Sequence, residues 1–421
     1  MNLASKVHVV GLGVESGGSL ADEAISALDT AEIIIGAERQ LDWLSGLGDR
    51  DRFQPKFKLL PKLSELKDLI DGYDSEVAVL ASGDPLYFGI GRWLGRHFPS
   101  SQLCYYSAVS SIQAACSRLG LTLQDCHVVS LHGRPVNSLK RHLQAGRTLI
   151  ILTDRYSHPG ALAGLCVEAG LAESTLWVCE RLGYSDERLQ CFEVSELNQS
   201  DPPKFDELQV SVLQLRGSGG RYPAFPGLDD RLLVTDGEPG QGMITKREVR
   251  LQILSLLQAG ENQVLWDVGA GCGGVSTELA LWQPSLRIHA VEPRAERVEC
   301  LHANRDRFGC SNLQVIEGRA PQALADLPDP DRIFIGGSDG ELETLLQICW
   351  QRLGDKGMLV ASAVTEASRE KLESFAAAQA GAEPRLMTLA VSHQEYSDGQ
   401  WQQIDKRPVT LLQLNKSRVG L

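Results

Sequence analysis

The same pattern runs twice along this chain: short β-branched runs, each followed by a stretch with apolar residues three and four apart. In the first half KVHVVGLG, EIIIG, EVAVLASGD, QLCYYSA, HVVSLHG and RTLIILTD read as strands, with LADEAISALDT and SSIQAACSRLG as helices between them. In the second half the helix MITKREVRLQILSLL, with Thr245 as its expected N-cap, leads into VLWDVGAG, LRIHAVEP, LQVIEG, RIFIGG and KGMLVASAV. Strands that alternate with helices build a mostly parallel sheet covered on both faces, so each half is α/β. Late in the first half LQCFEVSEL and ELQVSVLQL predict an antiparallel pair. PRLMTLAVS and RPVTLLQL predict a hairpin at the edge of the second sheet.

The pattern breaks once, at RGSGGRYPAFPGLDDRLLVTDGEPGQG, which is dense in Gly and Pro and has no period. The expected organisation is therefore a domain over 1–215, a linker over 216–242 and a second domain over 243–421. A chain of 421 residues exceeds what one core usually supports.

Composition removes several function classes. A net charge of −13 carries no basic footprint for nucleic acid. Ten cysteines without a CxxC pair and nine histidines without HxxxH or HExxH spacing predict neither a disulfide framework nor a metal centre. No apolar run approaches the roughly 18 residues of a membrane span. The opening MNLASKVHVVGLGV reads as a first strand rather than a signal peptide, so a cytoplasmic protein is expected.

The sharpest local signal is LWDVGAGCGG at 265–274. It follows a strand and opens the helix VSTELALW, which places it at the switch point where ligands bind in a doubly wound sheet. Its G-x-G-x-G spacing, with Asp267 ahead of the glycines, differs from the dinucleotide pattern. Glu292, at the end of the next strand, is an acid placed to take two ribose hydroxyls. These features resemble the Rossmann-like methyltransferases that bind S-adenosylmethionine. The turn after the fourth strand, Gly336 to Gly340, lacks the Pro-Pro-aromatic tetrad that clamps a nucleobase or amide, which counts against such a target.

MITKREVR, WDVGAGCGG, EGRAPQAL and RIFIGGSDG together resemble the decarboxylating precorrin methyltransferases of cobalamin biosynthesis, over about residues 225–415. Cys272 stands where Thr or Ser is common in that family. VHVVGLGVESGGSL, LASGDPLYFGIG, SAVSSIQAACSRLGL, VVSLHGR and the ILTD–ERLG pair resemble the tetrapyrrole methylase family, over roughly residues 5–215. The resemblances imply a two-lobed α/β tetrapyrrole methylase fold followed by a doubly wound Rossmann-like methyltransferase fold. They imply S-adenosylmethionine as methyl donor and a small tetrapyrrole, a precorrin, as substrate. Methyl transfer to ring carbon 5 falls to the first half. Methyl transfer to carbon 15, with decarboxylation of the ring C acetate, falls to the second. No nucleic-acid or membrane partner is implied, and a homo-oligomer is expected. Two other readings stay open: an RNA methyltransferase with a fused accessory domain, and an active C-terminal methyltransferase with a scaffold N-terminal half.

By the same resemblance the second half would hold the cofactor with Thr245, Gly269, Ala270, Gly271, Cys272, Gly273, Glu292, Gly318 and Ala320, the loop amides facing its methionine end. In the first half Gly83, Asp84, Pro85, Ser110, Ser111, His132 and Gly133 would do so. Gly11 and Gly13 would face the tetrapyrrole, and Arg134, Lys246 and Arg247 would take its carboxylates. Glu248 and Asp339 are conceivable acid–base groups, with no assignment between them.

Overall fold

The computed structural model describes residues 6–14, 20–46, 53–198, 203–219, 225–379 and 382–416. The chain divides into two compact units, Met1–Val136 with Leu143–Gly219, and Asn137–His142 with Gly220–Leu421.

The first unit carries two five-stranded sheets. The first sheet contains β1 (Val7–Gly11), β2 (Ile33–Gly36), β3 (Phe57–Leu59), β4 (Val77–Ala81) and β5 (Leu103–Tyr106), in the order β3-β2-β4-β1-β5. All its pairings are parallel. VHVVG and VAVLA are buried at every position, as strands covered on both faces must be. The second sheet contains β6 (Cys126–Ser130), β7 (Thr148–Leu152), β8 (Thr175–Glu180), β9 (Arg188–Glu193) and β10 (Gln209–Gln214), in the order β6-β7-β10-β8-β9. Only β6 and β7 run parallel. The two late segments do not pair with each other, as the sequence suggested. β10 enters between β7 and β8, and β9 pairs with β8, whose TLWVCE run carries the register for both.

The second unit is one seven-stranded sheet, β13-β12-β11-β14-β15-β19-β16. Its strands are β11 (Val264–Val268), β12 (Arg287–Glu292), β13 (Leu313–Glu317), β14 (Arg332–Ile335), β15 (Met358–Ala363), β16 (Glu383–Leu389) and β19 (Val409–Asn415). The first five in sequence are parallel, and β19 runs antiparallel between β15 and β16. The predicted edge hairpin is thus a wide one. Its connection holds a separate exposed ribbon of β17 (Ser392–Ser397) and β18 (Gln400–Asp405), which polar-rich sequence concealed.

Residues 225–242, expected within a linker, instead pack on the second unit. Leu228 and Leu233 are buried in its core beside Ile253, Leu279 and Leu301. Gly and Pro density marks irregular chain here, and buried side chains mark it as packed chain.

Candidate functional site

In the second unit the order β12-β11-β14 brings three strand ends together. Gly269 and Ala270 donate to Val291 O at 2.9 and 3.1 Å, and Gly336 donates to Val268 O at 2.9 Å. The loops after β11 and β14 then pass so closely that a Cβ on Gly269 would lie 2.4 Å from Gly337 O, and Gly269 has a φ of +69°. Only glycine fits both demands.

Beside these strand ends is a cavity of about 240 Å³, lined by Gly269, Gly271, Glu292, Ala320 and Asp339 among the expected residues. Glu292 is 3% exposed. Its Oε2 accepts from Gly271 N at 2.8 Å and its Oε1 from Arg294 N at 3.2 Å. Two backbone donors thus fix the carboxylate at the cavity edge, and each oxygen keeps a lone pair for a further donor. Arg297 Nη1 stands 3.9 Å from Glu292, while its Nε donates to Asp236 Oδ2 at 2.8 Å. Asp236 Oδ1 accepts from Met243 N at 2.7 Å. The Met243 amide and the Arg297 guanidinium hold the Asp236 carboxyl down at about 2.

The loop amides do not face the cavity as expected. Beyond the two bonds to Val291, Gly271 N serves Glu292, Cys272 N donates to Met243 O and Gly273 N to Ala270 O. What the loop offers is a surface without side chains, and the polar recognition falls to Glu292. Cys272 turns inward: it is fully buried, and burial pushes its thiol up to about 12. Gly273 caps the helix Gly274–Trp282, and Gly318 N donates to Glu292 O. Thr245 does not cap a helix. The helix Arg247–Leu257 is capped at Lys246 without a side-chain bond, and Thr245 O accepts from Arg250 Nη1 at 2.8 Å. Lys246 Nζ donates to Gly240 O, Arg247 is exposed, and Glu248 meets Lys406 Nζ at 3.5 Å. None of these four lines the cavity. Asp339 does, half exposed, with Arg319 Nη1 3.8 Å away. Arg294, Arg297 and Arg319 make the lining cationic. Sequence reasoning missed them and Asp236, although Arg319 sits inside EGRAPQAL between two residues it named.

In the first unit a smaller cavity, about 100 Å³, is lined by Gly13, Gly83 and Ser111 from the expected set. Gly11 supports it from behind: a Cβ there would lie 2.3 Å from Gly83 O. Asp84 Oδ1 accepts from Leu86 N at 2.7 Å and so closes its own turn, and Pro85 is buried. Ser110 caps the helix Ser111–Leu119 in a reciprocal box with Gln113. His132, Gly133 and Arg134 are exposed and do not line the cavity. Their loop is tied by Gly133 N to Asp154 Oδ2 at 2.9 Å, and Asp154, with four donors, is held at about 2 chiefly by that bond. Residues the sequence did not single out complete the lining, among them Arg39, Gln40, Trp43, Ser82 and Tyr184.

Among the described residues no three or more His, Cys, Asp or Glu are grouped to hold a metal, and no helix is long and apolar enough to cross a membrane.

Two family models match separate parts of the chain. Residues 6–198 match the family described as Tetrapyrrole (Corrin/Porphyrin) Methylases, and residues 239–416 match the Precorrin methyltransferase domain. A precorrin-6Y C(5,15)-methyltransferase [decarboxylating] from Sinorhizobium sp is 36% identical, over 85% of this chain and 84% of its own length. A probable cobalt-precorrin-6B C(15)-methyltransferase (decarboxylating) from Methanothermobacter thermautotrophicus is 32% identical over 44% of this chain and 93% of its own length. A cobalt-precorrin-7 C(5)-methyltransferase from Salmonella typhimurium is 30% identical over 45% of this chain and 92% of its own length.

Proposed function

Because this chain belongs to the family of decarboxylating precorrin-6Y C(5,15)-methyltransferases, we propose that its two units divide that reaction. The first unit methylates carbon 5. The second removes CO₂ from the ring C acetate and methylates carbon 15. The chain is an S-adenosylmethionine-dependent methyltransferase of cobalamin biosynthesis, and its substrate is a precorrin tetrapyrrole. The working division falls near residue 220, since 225–242 pack with the second unit.

The observation that carries the reading is Glu292, buried, fixed by two backbone donors and facing a cavity to which the loop presents only Gly269 and Gly271. The residues present fit a nucleoside: Glu292 for the ribose hydroxyls, Val268, Val291, Ala320 and Leu345 as apolar walls. In the first unit the donor set differs. Among the described residues no carboxylate lines that cavity, so backbone and Ser111 would hold the same group.

S-adenosylmethionine, when bound, supplies an electrophilic methyl group. The protein's part is to align a ring carbon with it and exclude water. Glu292 orients the ribose, with Arg297 and Asp236 bracing that edge. Arg294 and Arg319 take ring carboxylates, since a guanidinium matches a carboxylate with two parallel bonds. Loss of CO₂ requires an electron sink, which the conjugated imine of the ring provides. Asp339, on the lining and half exposed, is the residue assigned to hold or pass a proton there. The enzyme is further read as a cytoplasmic homo-oligomer without nucleic-acid or membrane partners, and light scattering on the purified chain reads the assembly.

Calorimetric titration of the whole chain with S-adenosylhomocysteine tests the division. Two sites are expected, one lost in Glu292→Ala and the other in the cavity-filling Ser111→Phe. A single site, lost only with Glu292→Ala, would make the first unit a scaffold.

A further inference from the structure

The first unit's cavity has walls of Leu12, Trp43, Leu182 and Val210 and, among the described residues, one charged lining side chain, Arg39. Arg39 and Gln40 open the helix Glu38–Ser45. Gln40 is engaged at both ends of its amide: Oε1 accepts from Ala37 N at 2.8 Å and Nε2 donates to Ser82 Oγ at 3.0 Å. Arg39 makes one bond, Nη2 to the same Ser82 Oγ at 3.2 Å. It has no carboxylate partner among the described residues. Ser82 immediately precedes Gly83, so the guanidinium is braced on the loop that lines the cavity and leaves its other N–H groups exposed.

An unpaired guanidinium at the edge of an apolar cleft is a built receptor for a carboxylate. Resting on the division of labour proposed above, we infer that Arg39, and not Arg134, which lies off the cavity, is the carboxylate-binding residue of the carbon-5 site. Two carboxylates reach such a site: the acetate or propionate arms of the tetrapyrrole, and the methionine carboxylate of the methyl donor. Both demand the same fork of N–H groups, and measurement separates them.

The experiment uses the full chain as wild type, Arg39→Gln, Arg39→Lys and Ser82→Ala. Affinity for S-adenosylhomocysteine is read by calorimetry, and KM and kcat for the precorrin are read separately at carbons 5 and 15. Loss of a charge-assisted pair predicts a weakening of about tenfold or more. In Arg39→Gln that weakening falls on the carbon-5 KM if a ring arm is held, or on the first unit's S-adenosylhomocysteine affinity if the donor is held. Arg39→Lys recovers part of it, and kinetics at carbon 15 stay unchanged as an internal control. Ser82→Ala, which loosens the brace and keeps the charge, costs clearly less than Arg39→Gln. An Arg39→Gln protein with both quantities unaltered overturns the inference, and so does a Ser82→Ala protein equally impaired, which would make Arg39 a support for the Gly83 loop. If the wild type itself shows no first-unit binding and no carbon-5 methylation, the division of labour fails, and this inference fails with it.

Discussion

Arg250 and Glu278 form an ion pair from which solvent is wholly excluded, Nε to Oε2 at 2.5 Å. Glu278 Oε1 also accepts the amides of Gly227 and Leu228, and Arg250 Nη1 reaches Asp230 Oδ1 at 2.9 Å. The pair clasps the Gly/Pro-rich stretch to the helices Arg247–Leu257 and Gly274–Trp282. Removing one partner strands a buried charge, so Glu278→Ala should cost about 3–5 kcal/mol. The double change Arg250→Met with Glu278→Leu should cost clearly less than the sum of the single changes. Hydrogen exchange of the β11 amides measures both, and additive losses would show that the two side chains act independently.

Glu292→Ala should abolish cofactor binding in the second unit alone. Two hydrogen bonds to a charged group are each worth about 1.5–3 kcal/mol, so affinity should fall at least about a hundredfold. Decarboxylation and carbon-15 methylation should fall with it, while carbon-5 methylation persists. An equal loss at both carbons would place Glu292 in a role common to the whole chain.

Asp154 gathers the amides of Gly133, Tyr156 and Ser157 and the Ser157 hydroxyl. Its folded value of about 2 lies below the ordinary 3.8, so its contribution is present above pH ~4 and fades as pH falls toward 2. With solvent screening, Asp154→Ala should cost about 1 kcal/mol at pH 7 and almost nothing at pH 2. Proteolysis within the 131–134 loop should quicken in the variant. A cost independent of pH would mean packing rather than charge.

Glu292 was legible because its signal is local: an acid at the end of one strand, after a glycine turn on the strand before it. Where partners come from distant segments the sequence was silent. Asp236 is tied to the site by Arg297, 61 positions later, which turns toward it. Arg39 lies in an ordinary amphipathic helix, and its meeting with Ser82 is a product of the β2-β4 pairing. Loop composition misled in the other direction. Cys272 lies inside the glycine loop yet points into the core, since in a turn the backbone angles of each residue set its direction and no periodic pattern marks which one is buried. β17 and β18 carry too few apolar residues to read as strands, because neither face is covered.

Asp267 lies beneath the glycine loop with no solvent exposure. Ser276 Oγ donates to its Oδ2, and Oδ1 has no hydrogen-bond partner. Burial raises its carboxyl from the ordinary 3.8 to about 7; the Ser276 bond opposes the rise and the Glu292 charge adds to it. A folded value above the unfolded one means the native state holds a proton that the unfolded chain has released. Stability is therefore highest below about pH 4 on this account and falls as pH rises toward 7, by an amount on the order of 4 kcal/mol. Asp267→Asn keeps an acceptor for Ser276 and has nothing to titrate. Denaturation of the two proteins at matched pH should give similar stability at pH 4 and an Asn variant more stable at pH 8. Curves that stay parallel from pH 4 to 8 would show that Asp267 is ionised in the native state throughout, and the unpartnered Oδ1 would then carry a charge.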